Sequence, residues 1–233
     1  MEESGSVRGA GSGAQARPRP TSIADVPRPL WRALPSDELL RLGRGVAAGL
    51  HYLHTQGVVH RDVKCSNVLM DAGRQPKLCD FGISALKSPV SPTRGQAALS
   101  SVSLGMPRYQ APEITERMAA SADGVDLDAS SLYVALDART DTYAFGLVLY
   151  EILHGVIAFL GFPGIGAMLL ALDGQRPLLE LRHEHARLGD LVESCWHTDP
   201  AKRPSMERVI ETLDEEAVGG AGAFPSPLSP DLL

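Results

Sequence analysis

His60-Arg61-Asp62-Val63-Lys64-Cys65-Ser66-Asn67 and, a few residues on, Asp80-Phe81-Gly82 decide how this chain of 233 residues is read. Between the two stretches, Asn67–Met70 and Lys77–Cys79 flank Asp71-Ala72-Gly73-Arg74. That is turn chemistry between two short extended runs, and it predicts a small hairpin with a loop at each end. The loops bring together two carboxylates (Asp62 and Asp80), one ammonium (Lys64) and one amide (Asn67). Asp80 and Asn67 are hard oxygen ligands of the kind Mg2+ takes alongside substrate phosphates. Lys64 is placed to neutralise phosphate charge, and Asp62 to orient or deprotonate a hydroxyl. The set suits phosphoryl transfer.

Outward from these loops the pattern turns helical. Ser36 is a candidate N-cap, with Asp37 and Glu38 at the positive end of the helix dipole. Leu39, Leu42, Val46, Leu50 and Leu53 then recur at three- and four-residue spacing, one apolar face, and Gly57 ends the run. Thr140–His154 is apolar on nearly every side and predicts a fully buried central helix. Further helices are expected over Pro163–Leu172, Arg187–Trp196 and Met206–Ala217. Gly155–Leu172 carries no formal charge over 18 residues, but its glycines and Pro163 break it into helix, turn, helix, so no membrane span is expected.

Composition bounds the rest. Hydrophobic residues make up 44% and charged residues 21%, so the chain can build an ordinary core. The formal charge of -6 argues against a nucleic-acid binder, which needs clustered cations. Cys65, Cys79 and Cys195 are odd in number and form no C-x-x-C pair. A disulfide framework or zinc site is not expected, and a reducing, cytoplasmic setting fits. Cys79 reads as an inert packed thiol, and the acidic run Asp123–Asp128 as a solvated insert without EF-hand spacing. Residues 1–35 are rich in Gly and Pro, with arginines outnumbering acids, and are expected to be a disordered leader. Residues 217–233 are expected to be a disordered tail, which leaves 36–216 as one domain.

HRDVKCSN, then DFG, then Ala111-Pro112-Glu113 resembles the protein kinase signature set in its correct order. DTYAFGLVLYEIL from Asp141 and CWHTDPAKRPS from Cys195 are similar to the central and closing segments of the kinase large lobe. Lys64, two residues after Asp62, resembles the serine/threonine type. The phrasing of the HRD, CW and RPS segments is most similar to the tyrosine-kinase-like group. The resemblance implies a mainly α fold with a small β-hairpin, the large lobe of a protein kinase. It also implies ATP and Mg2+ as cofactors and protein Ser/Thr hydroxyls as substrate. Carried over by residue, Asp62 is the catalytic base and Lys64 contacts the γ-phosphate. Asn67 and Asp80 hold Mg2+, and Leu69 lies beneath the adenine. His60 and Phe81 pack in the spine between lobes, Asp141 anchors the catalytic-loop backbone, and Glu113 pairs with Arg203. Arg61 would engage a phosphate on the loop between Asp80 and Glu113, with Ser100, Ser101 and Ser103 as its acceptor candidates.

The chain departs from the pattern in four places. No V-A-I-K-like strand is present, Lys64 is the first lysine, and 1–35 is too short and polar for a small lobe. Met106 stands where the family usually has threonine. Asp141 follows Glu113 by 28 positions, which predicts a loop insertion at about 117–139. Ala158 stands where the family often has proline. The expectation is a truncated Ser/Thr kinase, inactive as an isolated chain, whose exposed lobe surface attracts a partner protein. Its alternative is a catalytically silent lobe acting as an interaction module.

Overall fold

The computed structural model describes residues 34–80, 85–86, 105–122, 137–181 and 186–219. Helix α1 (Ser36–Thr55) opens the described part, with Asp37 and Glu38 in its first turn. The Ser36 cap is displaced by one residue. The Leu39 amide donates to the Pro35 carbonyl at 3.1 Å, so the first turn closes on Pro35 and Ser36 is already helical.

The buried stripe of α1 is Leu40, Gly43, Val46, Ala47 and Leu50, while Leu39, Leu42 and Leu53 are only half-buried. The face is rotated because glycines make part of the contact. A Cβ on Gly45 would lie 2.3 Å from Pro76 Cγ, so the hairpin rests directly on the helix backbone there. That hairpin is β2 (Val68–Met70) against β3 (Pro76–Leu78), antiparallel, with Val68 opposite Leu78 and Met70 opposite Pro76. Its turn closes through Arg74 N to Asp71 O at 2.9 Å. The extended pair β1 (Val58–Val59) finds an antiparallel partner in β4 (Ala85–Leu86), a ladder with no counterpart in the sequence reading.

Helix α2 (Pro112–Ala122) follows, and α3 (Ala138–His154) starts behind an Asp137 cap whose carboxylate accepts from Arg139 N at 2.7 Å. These helices occupy 117–122 and 138–139 of the expected insertion, and 123–136 lies outside the described residues. As expected, α3 is buried on all sides: Tyr143, Phe145, Leu147 and Val148 are fully enclosed. Each such apolar side chain stabilises the lobe by about 1.5–3 kcal/mol. Gly155 ends the helix in the left-handed region at φ 78°.

Residues 155–163 are irregular rather than helical, and α4 (Gly164–Leu172) begins only after Pro163. Among the described residues, no helix is long and apolar enough to cross a membrane. Helices α5 (Ala186–Cys195) and α6 (Met206–Gly219) complete the lobe. Met206, Val209 and Leu213 of α6 are buried and Ile210 is half-buried. Helix α6 runs on to Gly219, into the stretch read as tail. The hydrophobic core lies between α1, α3, α5 and α6. The fold is mainly helical with small antiparallel ladders, a kinase-like large lobe.

Candidate active site

The loop between β1 and β2 is held from below by one buried carboxylate. Asp141, in the first turns of α3, is 1% exposed. Its Oδ2 accepts from the His60 amide at 2.8 Å and from His54 Nε2 at 2.8 Å, and its Oδ1 accepts from the Arg61 amide at 2.8 Å. Arg61 sits at φ 70°, a region that costs a non-glycine residue energy, and this carboxylate fixes the peptides on both sides of that strain. His60 is fully buried; its Nε2 donates to the Cys79 carbonyl at 3.2 Å and its Nδ1 accepts from the Asp62 amide at 3.3 Å. The loop is thereby tied to the strand end that precedes Asp80.

Above this base, three of the sequence-picked side chains meet. Lys64 Nζ lies 2.5 Å from Asp62 Oδ2. Asn67 Nδ2 donates to the same Oδ2 at 2.9 Å and to the Asp62 carbonyl at 2.8 Å. A short 3-10 turn, Cys65–Asn67, brings Asn67 back under Asp62. With its amide nitrogen committed to Asp62, the Asn67 Oδ1 is the atom available to a cation. Asp80 is linked to this group through its neighbour, since the Cys79 amide donates to the Asn67 carbonyl at 2.9 Å. Asp80 is exposed and also adopts a positive φ, 64°.

The remaining wall is a turn that the sequence reading treated only as a departure. Gly105 sits at φ 69°, and a Cβ there would lie 2.7 Å from the Arg61 carbonyl and 3.0 Å from Asp62 Oδ1. Only glycine allows this approach. The 3-10 turn Pro107–Tyr109 follows. Its Tyr109 hydroxyl donates to Glu151 at 2.9 Å (Oε1) and 3.0 Å (Oε2), and the Ala158 amide reaches the same carboxylate at 2.9 Å. The Cys65 thiol, on the same loop as Asp62, lies beside this carboxylate. Burial pushes Glu151 above the usual carboxylate range, and burial likewise raises the Cys65 thiol and the Tyr109 phenol. Arg108 donates to the carbonyls of Ala158, Phe159 and Phe162.

Farther from the loop, Arg203 makes a two-pronged bond to Glu113 at 2.7 and 2.8 Å, with the arginine side chain fully buried. Behind the site, this pair fixes the start of α2 against the turn that precedes α6.

Residues 28–213 match the family described as protein tyrosine and serine/threonine kinase. The chain belongs to the protein kinase family. It is 29% identical over 184 residues to serine/threonine/tyrosine-protein kinase HT1 of Arabidopsis thaliana, covering 78% of this chain and 41% of that protein. It is 29% identical over 178 residues to serine/threonine-protein kinase STY17 of the same plant, covering 76% and 27%. Dual specificity protein kinase shkC of Dictyostelium discoideum is 30% identical over 192 residues, covering 78% and 33%. The chain thus spans less than half the length of these relatives.

Within the kinase fold the predicted site residues are placed as follows. Asp62, Lys64 and Asn67 form one hydrogen-bonded group, with Asp80 one residue from a direct link to it. Leu69 lies on β2 and is 58% exposed, beside Met70 at 48%. Asp141 bonds the loop backbone, and Glu113 bonds Arg203, both as read. Phe81, the Ser100, Ser101 and Ser103 acceptors, and the acidic run Asp123–Asp128 lie outside the described residues. The sequence reading missed Gly105, Arg108, Tyr109 and Glu151. One signal was available: Glu151 is the lone acid in the apolar half of α3, and a charge there demands partners.

Proposed function

We propose that this lobe carries the catalytic loop and the nucleotide floor of a kinase that moves the γ-phosphoryl group of ATP to protein Ser/Thr hydroxyls. The observation that carries the reading is the joint attachment of Lys64 and Asn67 to one oxygen of Asp62, which fixes that carboxylate without covering its other oxygen. Asp62 would receive the substrate hydroxyl, orient its oxygen in line and take its proton as the new O–P bond forms and the bond from the γ-phosphorus to the bridging oxygen breaks, with ADP as the leaving group. Lys64 would offset charge on the transferred group. Asn67 Oδ1 and the Asp80 carboxylate would hold Mg2+. Their chemistry fits: two hard oxygen donors from adjoining loops leave most positions to phosphate and water, as Mg2+ requires, and no group of three or more ligating side chains exists among the described residues. When bound, Mg2+ supplies charge neutralisation of the phosphates.

Leu69 and Met70 would form the floor under the adenine. Their exposure supports a further part of the proposal: in isolation this chain binds Mg-ATP weakly and transfers no phosphate, because an uncovered site sits in high dielectric. Covering that surface requires a small lobe or a partner protein. The second reading, a silent lobe used for protein interaction, draws on Met106, which is 53% exposed where the family usually places a threonine hydroxyl.

The test is transfer from Mg-ATP to a Ser/Thr peptide, measured for the chain alone and for the chain joined to a kinase small lobe. The joined protein is expected to exceed its Asp62→Asn variant by about 10²–10⁴-fold at equal melting temperature, and the chain alone to match that blank. A joined protein no better than Asp62→Asn would overturn the enzyme reading in favour of the silent lobe.

A further inference from the structure

The turn that brings Gly105 against Asp62 packs Tyr109 against the core, and its other hold is charge. Arg108 is the centre of that hold. Its Nη1 donates to the Ala158 carbonyl and, at 3.1 Å, to the Phe159 carbonyl, while its Nη2 donates to the Phe162 carbonyl at 2.6 Å. These carbonyls converge because the 155–163 segment is bent through left-handed positions at Phe159 (φ 53°) and Gly161 (φ 87°). Phe159 pays a steric penalty for that conformation, and three carbonyls bonded by one cation offset it. The neighbouring buried Glu151 side chain, bonded by Tyr109 and by the Ala158 amide, completes a clamp on the same segment.

We propose that Arg108 is a positioning residue for phosphoryl transfer: it pins the Pro107–Tyr109 turn to the 158–162 segment and thereby sets how closely Gly105 abuts Asp62. The proposal rests on the kinase reading above and extends it to a residue that touches neither nucleotide nor Asp62. Asp62 is fixed from the other side by Lys64, by Asn67 and by the Asp141-held backbone, so loss of the clamp leaves that group in place. What moves is the wall beside it, where the substrate hydroxyl must enter. Lysine cannot replace the clamp, because one ammonium lacks the planar fork that spans separated acceptors.

The experiment compares Arg108→Lys with wild type and with Arg44→Lys, which alters only a partly exposed bridge to Asp214. In the full chain, amide hydrogen exchange at Met106, Arg108, Tyr109 and Gln110 is expected to quicken at least roughly tenfold in Arg108→Lys, with the α3 amides unchanged. The NMR signals of the Gly105 amide and the Asp62 carboxyl carbon are expected to move with it, and in neither case for Arg44→Lys. In the chain joined to a small lobe, kcat/KM for the peptide is expected to fall about tenfold while KM for ATP stays the same. Unchanged exchange in the turn, exchange quickened equally throughout the lobe, or a matching rise in KM for ATP would each overturn the proposal. A joined wild-type protein that transfers no phosphate overturns the kinase reading instead, and the exchange and NMR arms then decide the clamp by themselves.

Discussion

Replacing Glu113 with alanine tests the energetic centre behind the site. Arg203 is fully buried at its side chain, and Glu113 is 17% exposed, so the pair belongs to the interior rather than to the screened surface. Breaking a buried pair by removing one partner costs about 3–5 kcal/mol, because the other charge is stranded. Here the stranded guanidinium keeps three carbonyl acceptors: His197 at 2.8 Å, Arg139 at 3.0 Å and Thr198 at 3.2 Å. It also keeps the face of Tyr143, with its central carbon 5.1 Å from the ring centroid. Those contacts place Glu113→Ala near the lower end, about 3 kcal/mol, which for a chain of this size lowers Tm by roughly 6–12 °C. Glu113→Gln, which retains one acceptor oxygen, should fall between wild type and alanine. Arg203→Ala should cost more than Glu113→Ala, since it leaves the carboxylate and the carbonyls without their donor. The assay is thermal unfolding of the three variants together with the Glu113→Ala/Arg203→Ala double variant. Equal Tm for wild type and Glu113→Ala, or strictly additive losses in the double variant, would refute the reasoning.

Other perturbations read different parts of the lobe. Among the described residues the buried Tyr143 hydroxyl has no hydrogen-bond partner, and burial pushes its phenol up to about 12, so Tyr143→Phe should leave stability unchanged or raise it by up to about 1 kcal/mol in thermal unfolding; a clear fall would refute this. Glu151 has its carboxyl raised by burial, so the unfolded chain loses this proton first as pH climbs. The contribution of Glu151 to stability is therefore greatest below the ordinary carboxylate value and declines as pH rises through the raised folded value. The Tm of wild type minus that of Glu151→Gln should accordingly decrease from acid toward neutral pH, and a difference independent of pH would count against it. Gly105→Ala meets both a positive φ and the Arg61 carbonyl, so it should cost about 1–2 kcal/mol in thermal unfolding and, in the chain joined to a small lobe, depress phosphate transfer well beyond that loss; wild-type activity in the joined variant would disprove the close approach to Asp62.

The chemistry was legible where it is local. Asp62, Lys64 and Asn67 lie within six positions, and the turn that folds Asn67 back under Asp62 is built from the intervening residues. The hairpin followed from its turn residues, and α3 from its unbroken apolar composition. The phase of α1 was not legible, because a leucine count cannot register that Gly45 serves as a contact surface for Pro76. The second half of α2, 117–122, fell within the stretch read as an insertion, since its polar residues present little apolar period. Glu151 and Arg108 were invisible for another reason. Their partners are carbonyls and a phenol brought in by the fold across 42 to 54 positions, with an amide seven positions away, and no sequence pattern encodes a convergence of carbonyls.

The balance of strain and hydrogen bonding explains why the loop that carries Asp62 is set by the lobe rather than by what binds to it. Arg61 and Asp80 both occupy left-handed backbone, at roughly 1–3 kcal/mol each for residues of this kind. Against this, the buried Asp141 carboxylate accepts from two consecutive loop amides and from His54, and hydrogen bonds to a charged group contribute about 1.5–3 kcal/mol apiece. The bonds to the Arg61 and His60 amides alone match or exceed the strain at Arg61, and His60 extends the support to Cys79, beside Asp80. A loop so over-determined holds Asp62 in place without nucleotide. Changes at Leu69, on the exposed face of β2, should therefore alter nucleotide affinity while leaving the Asp62 geometry intact, whereas changes at Asp141 should release the loop itself.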